Sequence, residues 1–245
     1  MSISISDLVT VRSRHPEAIA EAAARRIRRP LIGDTGRLMI VAADHPARGA
    51  LDDKVVMGSM NRGGLAGASF ELDDRFTGHR PQDIARLGFD AGKLLLRVDY
   101  DDAGSLNTML TTARAIDEMA ELKLPVFVEP FISRRIDGRV SNDLSAEAVT
   151  KSIAIASGLA GTSAYTWLKV PVTDDPDEMA AVMETSTLPA VLLGGEVGKD
   201  QEGAYEKWRK ALRLPTVQGL VVGRSLLYPA EGSVETAVDT AVGLL

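Results

Sequence analysis

LMIVAADHPARGALDDKVVMGSM, residues 38–60, is the stretch that decides the fold. Two apolar runs of β type, 38–43 and 54–60, stand in it only ten residues apart. Parallel neighbours in a sheet need a crossover of about a dozen residues or more, usually a helix. The two runs are therefore not adjacent parallel strands. Outward from them the same alternation continues with KLLLRVD (93–99), PVFVEPF (125–131), TWLKVPV (166–172), AVLLG (190–194) and GLVVG (219–223). These runs are short and apolar on both parities, as expected of strands covered on both faces. Segments rich in Ala, Glu, Lys and Arg lie between them at 106–122, 145–157, 177–184 and 202–212, and 233–244 closes the chain. Each reads as a helix. Ser145 and Ser233 are placed to cap two of them, because a short side-chain oxygen accepts from the unpaired amides of a first turn. An earlier helix is expected over 16–27.

Seven strands in this alternation fit either a doubly wound open sheet or a (β/α)8 barrel, and the ten-residue spacing selects the barrel. One βα unit, about 30 residues at the usual size of this fold, is then missing between Gly49 and Asp53. An intact join at Leu51 and Asp52, with Cα atoms about 3.8 Å apart, argues against that expectation. The seven runs become the first and the third to eighth strands of a barrel. No Ser/Gly/Pro-rich stretch or charge block divides two compositions, so residues 1–245 are read as a single domain.

Composition narrows the function. The chain has 245 residues, 45% hydrophobic and 25% charged, in the range of globular proteins. With 28 Lys and Arg against 34 Asp and Glu the net charge is -6, which offers no general field for nucleic acid. No run approaches the eighteen or so apolar residues of a spanning helix, and MSISISDL has no basic lead into an apolar stretch. No membrane partner and a cytoplasmic location are expected. Cys is absent, removing disulfides, thiolate metal sites and a cysteine nucleophile. Three His, at 15, 45 and 79, leave any metal site mainly to carboxylates.

Four elements carry possible chemistry. Lys169 lies inside YTWLKVPV, with Trp167 and Pro171 on its face. A buried lysine whose pKa is lowered by desolvation and nearby positive charge is a free amine able to form a Schiff base; the other reading is a strand-end lysine reaching solvent or an acid. Asp44 and His45 follow the first strand, on the end that holds barrel active sites, though an Asp there also serves as a turn or cap residue. Glu129 shares a face with Phe127 and Phe131. It is either a general acid/base with a raised pKa or an ion-pair partner for Lys93 or Arg97. Lys93, Arg97 and Asp99 share one parity, which favours a polar barrel interior. Finally, Gly194-Gly195 and Gly223-Arg224-Ser225 end the last two strands, where barrels frequently bind phosphate on backbone amides. Asn61, Arg62, Arg134 and Arg135 offer further anion contacts from loops.

Taken in order, DHP, GK at the fourth strand, VEP at the fifth, LKVP at the sixth, LLGG at the seventh and VVGR at the eighth resemble the class I, Schiff-base-forming (β/α)8 aldolases of the tagatose-bisphosphate, archaeal-type fructose-bisphosphate and deoxyribose-phosphate group. The likeness runs from about Leu38 to Tyr228. ADHPARGAL, GSMNRGGLAG and GLVVGRSLLYP are similar to a family of aldolase-like barrels associated with inositol catabolism. That resemblance implies cleavage of 2-deoxy-5-keto-gluconate 6-phosphate to dihydroxyacetone phosphate and malonate semialdehyde. It implies Lys169 as the Schiff-base lysine, Asp44 as the first-strand acid and Lys93 as electrostatic support. Glu129 becomes the fifth-strand acid/base, and Gly194, Gly195, Gly223 and Arg224 the phosphate cradle, with His45 and Arg97 as further substrate contacts. VLLGGEV carries no second lysine, which disfavours a deoxyribose-phosphate substrate. Neither a metal nor a cofactor is expected, since the metal-dependent aldolases, unlike the Schiff-base ones, usually hold zinc with several histidines. A hexose-bisphosphate aldolase and a non-catalytic sugar-phosphate-binding barrel are the alternatives. The expected partner is a small sugar phosphate, and the expected assembly a homo-oligomer.

Overall fold

The structure is a computed structural model that describes residues 14–15, 21, 24–42, 55–61, 65–173, 175–194, 201–229 and 232–245. Its strands are β1 (Leu38–Val41), β2 (Met57–Ser59), β3 (Ala91–Val98), β4 (Val126–Ile136), β5 (Arg139–Asp143), β6 (Thr166–Val170), β7 (Ala190–Leu193) and β8 (Val217–Val222). The helices are α1 (Pro81–Arg86), α2 (Gly104–Glu121), α3 (Ala146–Ser157), α4 (Pro176–Glu184), α5 (Gln201–Ala211), α6 (Arg224–Leu227) and α7 (Val234–Val242). Seven strands pair in parallel in the order β1-β8-β7-β6-β4-β3-β2, and β5 adds to β4 antiparallel. The sheet curls into an incomplete barrel. Along the seven parallel strands, chain-order neighbours are sheet neighbours at every step except between β1 and β2, which form the two ends of the path. That is where the short spacing places the missing unit. The Leu51–Asp52 join itself, and most of the helix expected over 16–27, lie outside the described residues.

Alternation along each strand sorts the side chains into two compartments. Leu94, Leu96 and Val98 of β3 point outward and are at most 5% exposed, packed with Ile116 and Met119 of α2. The opposite parity points inward, where Leu38, Ala91, Phe127, Val191 and Val221 form a second cluster. Trp167 packs on Phe127 at 5.1 Å between ring centroids, and Leu31 and Ile32, ahead of β1, join the same cluster. Ser145 accepts from the Ala148 amide and Ser233 from the Thr236 amide, so both expected caps are in place.

Gly219 fixes how closely β1 approaches β8. A Cβ there would lie 1.8 Å from the Leu38 carbonyl oxygen, a backbone atom that cannot swing away. Gly219→Ala is expected to cost about 3 kcal/mol through the forced backbone shift. Thermal melting then shows a Tm lower by roughly 6–12 °C.

One expectation needs correction. ISRRIDGR reads as a loop offering Arg134 and Arg135 to an anion; it is instead the end of β4 and the turn into β5. Asp137 and Gly138 both take positive φ, 49° and 78°, the backbone a two-residue hairpin turn requires. Arg135 is occupied, donating to the Ala68 and Ser69 carbonyls.

Candidate active site

Inward parity on three adjacent strands brings Lys93, Glu129 and Lys169 together. Lys169 Nζ donates to Glu129 Oε1 at 2.6 Å, and Lys93 Nζ lies 2.7 Å from Oε2. The lysine and glutamate of the first contact are 12% and 11% exposed, and Lys93 is 26% exposed. The interior is therefore polar at this level, directly above the Phe127–Trp167 layer. Burial pushes the Glu129 carboxyl up, but the ammonium groups of Lys93 and Lys169 outweigh it and hold it below the usual glutamate range. Glu129 is an ion-pair partner in the structure, and its pKa is lowered where a raised one was expected. Its lysines are Lys93 and Lys169; Arg97 is not one of them.

Arg97, four residues further along β3, is held by Glu71. Its Nη1 pairs with Glu71 Oε1, and its Nη2 donates to the Glu71 carbonyl at 3.0 Å. Asp74 Oδ2 stands 3.8 Å from the same Nη2. Neither acid was expected in the site, and no local signal marks them, because the arginine they face lies more than twenty residues further along the chain. Asp74 is 2% exposed, and neither carboxyl oxygen has a hydrogen-bond partner among the described residues. Burial raises its pKa above the ordinary Asp value, against the pull of Arg97 and Lys93 and with the push of Glu71. A raised native value means that Asp74's contribution to stability is full below the ordinary carboxylate range and is lost as pH rises through the raised value. Asp74→Asn is therefore expected to melt at a higher temperature than the native chain at pH 7, with the gain shrinking on acidification.

Gly194 and Gly223 bring the ends of β7 and β8 together. A Cβ on Gly194 would lie 2.7 Å from Val222 Cγ1 and 3.3 Å from Ser225 Oγ, and one on Gly223 would lie 2.8 Å from the Ala42 carbonyl. Ser225 Oγ is buried without a hydrogen-bond partner among the described residues. Arg224 is exposed. Asp44, His45, Arg62 and Gly195 lie outside the described residues. Asn61 is structural: its amide donates to the Leu95 carbonyl at 2.7 Å and accepts from the Leu95 amide at 2.8 Å. Asp99 is likewise used by the fold, accepting from the Asp101 and Arg135 amides.

The family model described as Cgl0159-like matches residues 49–242. The chain belongs to the Cgl0159-like family. The crystal structure of Cgl0159 from Corynebacterium glutamicum (Brevibacterium flavum) is 42% identical, with a TM-score of 0.91, over 99% of this chain and 97% of that one. A Schiff-base-forming fructose-1,6-bisphosphate aldolase is 20% identical with a TM-score of 0.58, over 70% of this chain and 64% of that one. An archaeal fructose 1,6-bisphosphate aldolase is 17% identical with a TM-score of 0.59, over 98% of this chain and 88% of that one. At these identities the two aldolases share the barrel fold with this Cgl0159-like chain. No curated protein matches it. Among the described residues no helix is long and apolar enough to cross a membrane.

Proposed function

We propose that this Cgl0159-like chain is a class I aldolase that cleaves a phosphorylated keto-sugar or keto-sugar acid through an imine on Lys169. The observation that carries the reading is the Lys169–Glu129–Lys93 bridge inside the barrel. A lone buried lysine paired one-to-one with an acid is a closed ion pair. Here one carboxylate is shared by two ammonium groups on neighbouring strands. Repulsion from Lys93 favours loss of a proton from Lys169 and works against the pull of Glu129 at 2.6 Å, through whose carboxylate the proton is handed on.

The neutral amine then adds to the substrate ketone to give a carbinolamine, which loses water to become a protonated imine. The imine accepts the electron pair of the breaking carbon–carbon bond and becomes an enamine, while the hydroxyl on the departing carbon gives up its proton and leaves as an aldehyde. Protonation of the enamine and hydrolysis return the lysine. Glu129 and Asp44 are the proton carriers in this scheme. Gly194, Gly195, Gly223 and Arg224 supply the phosphate cradle, supported by the Ser225 hydroxyl beside Gly194, which has no partner among the described residues. His45 is a further substrate contact. For the substrate we propose 2-deoxy-5-keto-gluconate 6-phosphate, giving dihydroxyacetone phosphate and malonate semialdehyde; this rests on the sequence resemblance to the inositol-associated barrels.

Borohydride trapping with dihydroxyacetone phosphate, read by intact mass and peptide mapping, tests the imine. A stable adduct on Lys169 is the expected result. Failure to label it with dihydroxyacetone phosphate, fructose 1,6-bisphosphate and the keto-gluconate phosphate alike overturns the mechanism.

A further inference from the structure

The β4–β5 hairpin stands beyond the parallel part of the sheet, and its outer strand has an open edge. Among the described residues β5 pairs with β4 and with no other strand. Arg139, Ser141, Asn142 and Asp143 are exposed, and Val140 is half-buried. Which backbone groups are open follows from β4. The Val126 amide donates to the Tyr165 carbonyl on the β6 side, whereas the Arg135 amide donates to Asp99, just past β3. Successive amides of a strand alternate sides, so the even-numbered residues of β4 face β5. Their partners in register are Arg139, Ser141 and Asp143. The amides and carbonyls of Val140 and Asn142 therefore point away from β4, where they form a template for a further strand.

The residues along that edge are complementary to themselves. Let a second copy run antiparallel to β5 with Ser141 on a twofold axis. Val140 of each copy then exchanges backbone hydrogen bonds with Asn142 of the other, and Arg139 of each comes opposite Asp143 of the other. Opposite charges at facing positions stabilise an antiparallel pair. Asp143 is already held at the strand end, accepting from the Ser145 amide at 3.0 Å. Sliding the copies by two residues loses both charge pairs: one direction sets Asp143 against Asp137, and the other sets Arg139 against Ser145. In the centred register the exposed Leu144 of each copy falls opposite Gly138 of the other, near the exposed Ile136. A contact in which one surface meets itself closes at two subunits.

We infer that β5 is the docking strand of a homodimer, in which a second copy of this chain adds antiparallel at Ser141 and joins the two hairpins into one four-stranded sheet. The inference concerns assembly and is independent of imine chemistry on Lys169.

Sedimentation velocity of the full chain over a dilution series tests it, with folding checked by circular dichroism. The native chain is expected to show a concentration-dependent dimer. Val140→Pro removes an open-edge N–H and no bond to β4, a place where an edge strand tolerates proline, and is expected to weaken the dimer by about tenfold or more. Arg139→Asp sets two acids against each other at both ends of the interface and is expected to weaken it to a similar degree, on the order of tenfold. Combining Arg139→Asp with Asp143→Arg restores opposite charges and is expected to return the affinity to within about threefold of native. Because Arg139 is exposed, Arg139→Asp and the double reversal carry the test if Val140→Pro does not fold. A monomer at every concentration, an unchanged dimer in folded Val140→Pro or in Arg139→Asp, or a double reversal no tighter than Arg139→Asp alone overturns the inference.

Discussion

Lys169→Met is expected to abolish borohydride trapping and to lower kcat by on the order of 10⁴-fold or more, because the group that forms the covalent intermediate has no substitute. The fold should survive. Glu129 keeps Lys93 at 2.7 Å, so the carboxylate does not become an unpaired buried charge. Met also fills the volume of the lysine stem between Trp167 and the upper lumen. Lys169→Arg separates this mechanism from an imine-free barrel lyase or isomerase. Arginine keeps the positive charge and the contact with Glu129 but cannot supply a neutral amine. Near-complete loss of activity in Lys169→Arg, with unchanged circular dichroism, is the expected result; substantial remaining turnover would favour the imine-free chemistry.

The second large effect concerns stability. Glu129→Leu removes one carboxylate from two lysines at once, and deleting a single member of a buried charge cluster typically costs about 3–5 kcal/mol. At roughly 2–4 °C per kcal/mol for a chain of this size, the Tm should fall by about 6 °C or more. Replacing all three groups, as Lys93→Met with Glu129→Leu and Lys169→Met, should recover most of that loss, since well-packed apolar side chains substitute for buried ions at little cost. A triple variant no more stable than Glu129→Leu would show that the bridge is not the source of the effect. The native protein has a matching pH signature. Glu129's native pKa lies below its unfolded value, so its contribution is full above the ordinary glutamate range and is lost as pH falls through the lowered value. Glu129→Gln should flatten the acid limb of a Tm-against-pH curve relative to the native chain.

Much of this was readable before any coordinates. The two-residue period of a strand shows from the sequence which residues share a face with Lys93, Glu129 and Lys169; that these faces point inward and lie on adjacent strands comes from the structure. The ten-residue spacing after the first strand correctly separates β1 from β2 in the sheet. Period does not reveal which charges pair. Glu129 has three basic residues on nearby inward positions, and its two chosen partners depend on sheet register, with Leu95 rather than Lys93 directly opposite it. Glu71 and Asp74 were illegible for another reason: an acidic turn shows burial only when a distant arginine folds onto it. The Asp137-Gly138 turn was missed although its signal was present, since an Asp-Gly dipeptide between residues able to pair is a hairpin signal.

Trp167 gives the site a built-in optical reporter. The chain has two tryptophans, and the other, Trp208, is 3% exposed on the outer face of the barrel among α5 contacts. Trp167 lies two residues before Lys169 on the same inward parity, under the charged layer. In a Trp208→Phe background, emission would come from Trp167 alone, and stopped-flow intensity could follow ligand entry and imine formation in real time without a coupled assay.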